Sequence, residues 1–121
     1  MIRGYLDRAG EAMRLNDSAV RRALLLWNPG ARDHWDTTNT LTAAVQTMMP
    51  GETVTTHRHI HSAMRFITHG KGATTTVNEH ANASPLEPAI LFSITDAPAF
   101  EALALLREEA YAANGGRQHE I

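Results

Sequence analysis

Cysteine is absent from the 121 residues, which removes disulfides, thiolate metal sites and cysteine nucleophiles together. No run of 18 apolar residues occurs, and the opening MIRGYLDRAGEAM offers neither the apolar core of a signal peptide nor a membrane span. A cytoplasmic setting without a membrane partner is the expectation that follows. A large net charge is absent as well. Eleven basic against 13 acidic residues leave a formal net charge of −2, which supplies no basic field for nucleic acid. No internal repeat is evident. What remains is 43% hydrophobic and 20% charged, the balance of one packed globular domain. Against that ordinary background histidine stands out: there are seven, and His57, His59 and His61 fall within five positions.

Along the chain, residues 1–16 read as an irregular or weakly helical arm. Asp17 or Ser18 can cap a short turn before the apolar run 23–27, which is too short for periodicity to separate strand from helix. Asn28-Pro29-Gly30 stops that run, and residues 31–39 are polar and loop-like. From Thr40 onward Leu41, Ala43, Val45, Thr47 and Met49 alternate with their neighbours, predicting a half-buried strand. Further strands are expected over 54–60, 63–68, 73–77 and 89–95, separated by Pro50-Gly51-Glu52, His69-Gly70-Lys71-Gly72 and a polar stretch over 78–88. Short strands divided by Gly and Pro turns indicate an all-β sandwich or barrel. Asp96 as N-cap, Pro98 one step inside, and Phe100, Leu103, Leu106 and Ala110 at helical spacing predict a closing helix that ends at Gly115-Gly116. A frayed tail follows.

In an extended strand the side chains at 57, 59 and 61 share one face, so neighbouring imidazoles can reach one metal ion. The competing reading is a solvated edge strand rich in threonine and histidine. With cysteine absent, further ligands have to be histidine, carboxylate or water. Met48 and Met49 read as packing, Trp27 and Trp35 as packing anchors, and Glu108 and Glu109 as a solvated helix face. His34, His69 and His119 fall in loops or the tail.

The residues around the cluster carry a resemblance. Gly51, His57-Arg58-His59, Ala63 and Gly70 follow the spacing of the first cupin motif, with Ala63 where a glutamate ligand usually stands. Together with Arg21-Arg22, Asn28-Pro29-Gly30, Thr38-Asn39-Thr40-Leu41, Pro50-Gly51-Glu52, Ser62-Ala63-Met64-Arg65-Phe66 and Gly70-x-Gly72, the chain resembles the gentisate 1,2-dioxygenase family. That family includes salicylate and 1-hydroxy-2-naphthoate dioxygenases. A second stretch, from Glu79-His80-Ala81-Asn82-Ala83 to AILFSITDAPAFEALALLREEA, is similar to the end of the family's second cupin with its helix.

The resemblance implies an all-β cupin (a jelly-roll, double-stranded β-helix barrel), partial or completed by self-association, with a C-terminal helix. Its expected parts are an arm over 1–20, a cupin domain over 21–113 and a flexible tail over 114–121. Within the domain, 21–78 resemble a first cupin and 79–113 the end of a second, with an internal omission near residue 78. It implies Fe(II), with zinc or another divalent metal able to take its place in purified samples, held by His57, His59 and a third ligand. His80 is the nearest candidate for that third place. Asn78 aligns where the family's ligand stands, and His61 is the fallback. The implied reaction is ring cleavage of an ortho-hydroxy aromatic acid by O2, between the carboxyl- and hydroxyl-bearing carbons. Arg65 is then a substrate and catalytic residue, Arg21 or Arg22 a second carboxylate contact, and His61 a residue that lines or tunes the pocket. The implied partners are a small aromatic acid, O2 and further copies of the chain. Two rivals stay open: a metal- or small-ligand-binding cupin without turnover, and a structural remnant that supports assembly.

Overall fold

A computed structural model describes residues 2–12, 22–30, 36–54, 56–74 and 80–110. Two helices and nine strands lie within them: α1 (Ile2–Ala12), β1 (Arg22–Leu25), β2 (Thr42–Met48), β3 (Thr53–Val54), β4 (His57–His59), β5 (Ala63–His69), β6 (Gly72–Thr74), β7 (His80–Asn82), β8 (Ala89–Thr95), α2 (Ala97–Ala102) and β9 (Glu108–Ala110). All strand pairs are antiparallel. The strands form a four-stranded sheet in the order β1-β2-β8-β5, a three-stranded sheet β3-β7-β6 and a two-stranded sheet β4-β9. This is the all-β architecture expected, with helices at its margins.

The core gathers where β2, β3 and β8 meet. Met48, Val54, Ala89 and Leu91 form one buried cluster, and α1 adds Leu6, which is 2% exposed. Strand β2 differs from the half-buried expectation, because Ala43 to Met48 are all buried. β2 is paired along both edges, by β1 and β8, and α1 packs against it. The apolar run after Arg22 settles as strand β1 through that same pairing.

Two expectations are corrected. The stretch 78–88, read as polar loop, contains strand β7, whose buried Asn82 donates from Nδ2 to the Met48 and Glu87 carbonyls at 3.0 and 2.8 Å. The predicted closing helix is much shorter, for α2 ends at Ala102. Ala104 turns to a φ of 56°, and the amides of Leu105 and Leu106 both bond to the Phe100 carbonyl. Glu108–Ala110 then leave the helix to pair with β4. Helical spacing at Leu106 and Ala110 is thus overridden by cross-strand hydrogen bonds to the histidine strand. Asp96 does precede α2, yet its side chain makes no cap bond to the helix. The Ala97 amide instead donates to Thr95 Oγ1 at 3.2 Å.

Candidate metal centre

The expected strand over 54–60 is divided. β3 stops at Val54, β4 holds His57, Arg58 and His59, and Ile60 and His61 lie in a bend. The short β4 aligns on β9 with His57 opposite Ala110, Arg58 opposite Glu109 and His59 opposite Glu108. The Ile60 amide extends the ladder to the Arg107 carbonyl at 3.3 Å. Pleating separates the two faces. Arg58 turns outward to Glu109, with Nε to Oε2 at 2.7 Å, while His57 turns inward and is 4% exposed. An open groove of about 580 Å³ runs alongside, lined by Arg58, His59, Ile60, Arg107, Glu108 and Glu109.

The rings of His57 and His59 stand 5.4 Å apart with their planes inclined at 38°. A metal bound by imidazole lies in the ring plane, about 2.0–2.1 Å from nitrogen and so roughly 3.2 Å from the ring centre. Two centres 5.4 Å apart fall within twice that reach and their planes are inclined, so the separation of the pair is compatible with a shared ion. His59 and His61 are different. Their rings stack at 3.8 Å with only 8° between planes. Planes so nearly parallel do not meet within bonding distance, and one ion cannot lie in both. In this arrangement one ion does not lie in the ring planes of His59 and His61 together.

Nδ1 of His59 lies 2.7 Å from the His61 carbonyl oxygen, which can only accept, so Nδ1 is the donor, and in the neutral ring Nε2 then holds the lone pair. A ligand histidine whose other nitrogen donates to a carbonyl is the arrangement that orients metal-binding imidazoles. Nε2 of His57 and Nδ1 of His61 are both buried.

The remaining predicted residues are dispersed. His80 is located by its backbone on β7, opposite Val54 of β3 and Thr74 of β6. Arg65 is half-buried on β5 opposite Ser93. Arg22 is 5% exposed and its guanidinium pairs with the Glu52 carboxylate, so at least part of its charge is directed to the turn after β2. Arg21, His34, Trp35, Asn78 and His119 lie outside the described residues. Among the described residues, no group of three or more His, Asp or Glu side chains is gathered as a metal site. What sequence reasoning missed is β9: Glu108 and Glu109, read as a solvated helix face, stand directly opposite His59 and Arg58.

With that geometry in place, the comparisons are specific. A gentisate 1,2-dioxygenase of Aquipseudomonas alcaligenes is 42% identical over 74 residues, covering 61% of this chain and 21% of the relative. The chain is similar in sequence to gentisate 1,2-dioxygenases. A second relative, from a Ralstonia species, is 29% identical over 138 positions, covering 97% of this chain and 37% of the relative. That match is longer than the chain's own 121 residues, so positions within it have no counterpart here, consistent with an internal omission. A salicylate 1,2-dioxygenase variant of Pseudoaminobacter salicylatoxidans, solved in complex with gentisate, superposes with a TM-score of 0.80. It is 22% identical and matches over 93% of this chain and 36% of that one. At that identity the superposition shows the fold, which is the cupin fold of these dioxygenases. No family model matches the chain. The chain thus spans between about a fifth and two fifths of the length of these proteins.

Proposed function

We propose that this chain is an Fe(II)-dependent, ring-cleaving dioxygenase of ortho-hydroxy aromatic acids of gentisate or salicylate type. The observation that carries the reading is the His57–His59 pair, whose ring separation and His59 Nδ1–H···O contact are compatible with two ligands of one ion. His57 and His59 would hold the metal, with His80 proposed as the third donor. A bound Fe(II) would supply redox activation of O2 and Lewis-acid attraction for the acid's oxygens. The chain's own part is positional. His57 holds its nitrogen away from bulk water, and neutral imidazoles leave the anionic charge to be brought by the substrate. Arg65 is the residue proposed to fork onto the substrate carboxylate. Arg22 is the weaker proposal for a second contact, since Glu52 already occupies its guanidinium.

Self-association belongs to the same reading. β5 ends its sheet among the described residues and exposes Met64 at 57% and Phe66 at 51%, and unpaired apolar edges invite pairing with another copy. A second reading, a metal- or ligand-binding cupin without turnover, is favoured by the gathering of just two donors among the described side chains.

Oxygen uptake by protein reconstituted anaerobically with Fe(II) separates the two. Gentisate and salicylate are each added, and ring-opened product is followed by absorbance. Turnover that vanishes in His57→Ala is the expected result. A folded, iron-loaded protein that consumes no oxygen with either acid leaves the binding reading in place.

A further inference from the structure

We propose that His61 is a positioning residue for His59 rather than a metal ligand or a substrate contact. Two observations coincide on it. Its carbonyl accepts the His59 Nδ1 proton at 2.7 Å, and its ring lies over the His59 ring at 3.8 Å and 8°. The first contact makes Nδ1 of His59 the donor, which in the neutral ring leaves the lone pair on Nε2. The second fixes how the ring is turned about its side-chain bonds. Hydrogen bond and stack together leave His59 little rotational freedom, so a metal ion finds the nitrogen already aimed. Stacking also leaves the in-plane direction of Nε2 clear, because the covering ring lies above the plane rather than along it. The bend at Ile60 and His61 makes this possible. Had the strand continued, His61 would have stood beside His59 along the strand, with the two side chains parallel but a full two-residue repeat apart. Breaking β4 after His59 brings the ring back over its neighbour.

The inference rests on metal binding by His57 and His59, and the test separates its failure from failure of that reading. Co(II) is the probe, with affinity measured by titration calorimetry and coordination by visible absorption. His57→Ala, His61→Ala and His61→Phe are compared with the unaltered protein. His61→Phe keeps an aromatic ring over His59 and the backbone carbonyl, but removes every imidazole nitrogen at 61. The expected pattern is binding about tenfold weaker in His61→Ala, as for other supports of metal ligands, and near-complete recovery in His61→Phe with an unchanged Co(II) spectrum. In parallel, ¹⁵N chemical shifts of the metal-free protein should show His59 protonated at Nδ1. Loss in His61→Phe as deep as in His61→Ala, with an altered spectrum, would mean that a nitrogen of His61 binds the ion and would overturn the proposal. So would unchanged affinity in His61→Ala while His57→Ala abolishes binding. Unchanged binding in all three variants, His57→Ala included, would instead remove the metal reading on which the inference stands.

Discussion

Asp96 Oδ1 accepts a hydrogen bond from the Ser62 amide at 2.7 Å, and the Asp96 amide lies 3.4 Å from the Ser62 carbonyl. This reciprocal pair joins the start of α2 to the residue immediately after His61. The carbonyl that orients His59 is thus anchored from the far end of β8. Asp96→Ala is expected to weaken Co(II) binding several-fold and to cost about 0.5–1.5 kcal/mol of stability, the usual net contribution of one hydrogen bond. Asp96→Asn retains an acceptor oxygen and should keep most of both. Calorimetric titration and denaturant unfolding of the two variants provide the check. Equal loss in Asn and Ala would remove the hydrogen bond as the cause.

Two glycines with nearly the same φ should respond differently to alanine. At Gly51, with a φ of 74°, an added Cβ would meet nothing within 4 Å, whereas a Cβ on Gly70 at 75° would lie 2.5 Å from the Pro88 carbonyl oxygen. Gly51→Ala should cost about 1 kcal/mol, the left-handed penalty alone. Gly70→Ala adds a backbone collision beside β8 and should cost about 2–4 kcal/mol. Thermal or urea midpoints of the two variants rank them directly, and equal losses would show that the turn at 70 relaxes freely.

How far the residues alone announced this arrangement depended on the range of the interactions. Local alternation and turn residues located β2, β5 and β8, whose bounds depend on pairing with neighbours of similar length. The histidine pair was legible because an i, i+2 spacing places two rings on one face whatever the rest of the chain does. The bend that stacks His61 on His59 was not, since the residue after it is tied to Asp96, more than thirty residues away. Nor was β9. Leu103, Leu106 and Ala110 satisfy a helical period, and nothing local signals that Glu108 and Glu109 will find a better partner in β4. His80 shows the same limit, for its place opposite Val54 is a product of the β3–β7 pairing.

The outward face of the histidine strand supplies a third prediction. Arg58 and Glu109 are directly opposed and bonded through both Nε and a terminal nitrogen, at 2.7 and 2.5 Å. Both remain largely in water, at 74% and 65% exposure. An exposed pair of this kind contributes about 0.2–1 kcal/mol. Each single charge reversal, Arg58→Glu or Glu109→Arg, should destabilise by roughly that amount, because like charges then face each other across the strands. The double reversal should recover most of the loss. A double-mutant cycle by urea unfolding measures the coupling, and raising the salt concentration should shrink it.

The fourth prediction decides what Arg22 is for. Its guanidinium is 5% exposed and paired with Glu52, while the same Glu52 oxygen accepts the Met49 amide at 2.7 Å and closes the turn after β2. Removing the two partners should therefore be unequal. Glu52→Ala leaves a buried guanidinium without this carboxylate and the Met49 amide without its side-chain acceptor, although the Glu52 amide still bonds the Met49 carbonyl, and should cost about 2–3 kcal/mol. Arg22→Met fills the buried space with apolar atoms of similar length, and the carboxylate it abandons is 21% exposed and keeps the Met49 amide. That change should cost less, about 1–2 kcal/mol. A substrate role makes the opposite demand, for an arginine held for a carboxylate ligand would raise KM in Arg22→Met while leaving the unfolding midpoint nearly unchanged. Urea midpoints and substrate titrations of the same two variants therefore separate the roles. A lowered midpoint with unaltered KM assigns Arg22 to the fold and leaves Arg65 as the carboxylate contact.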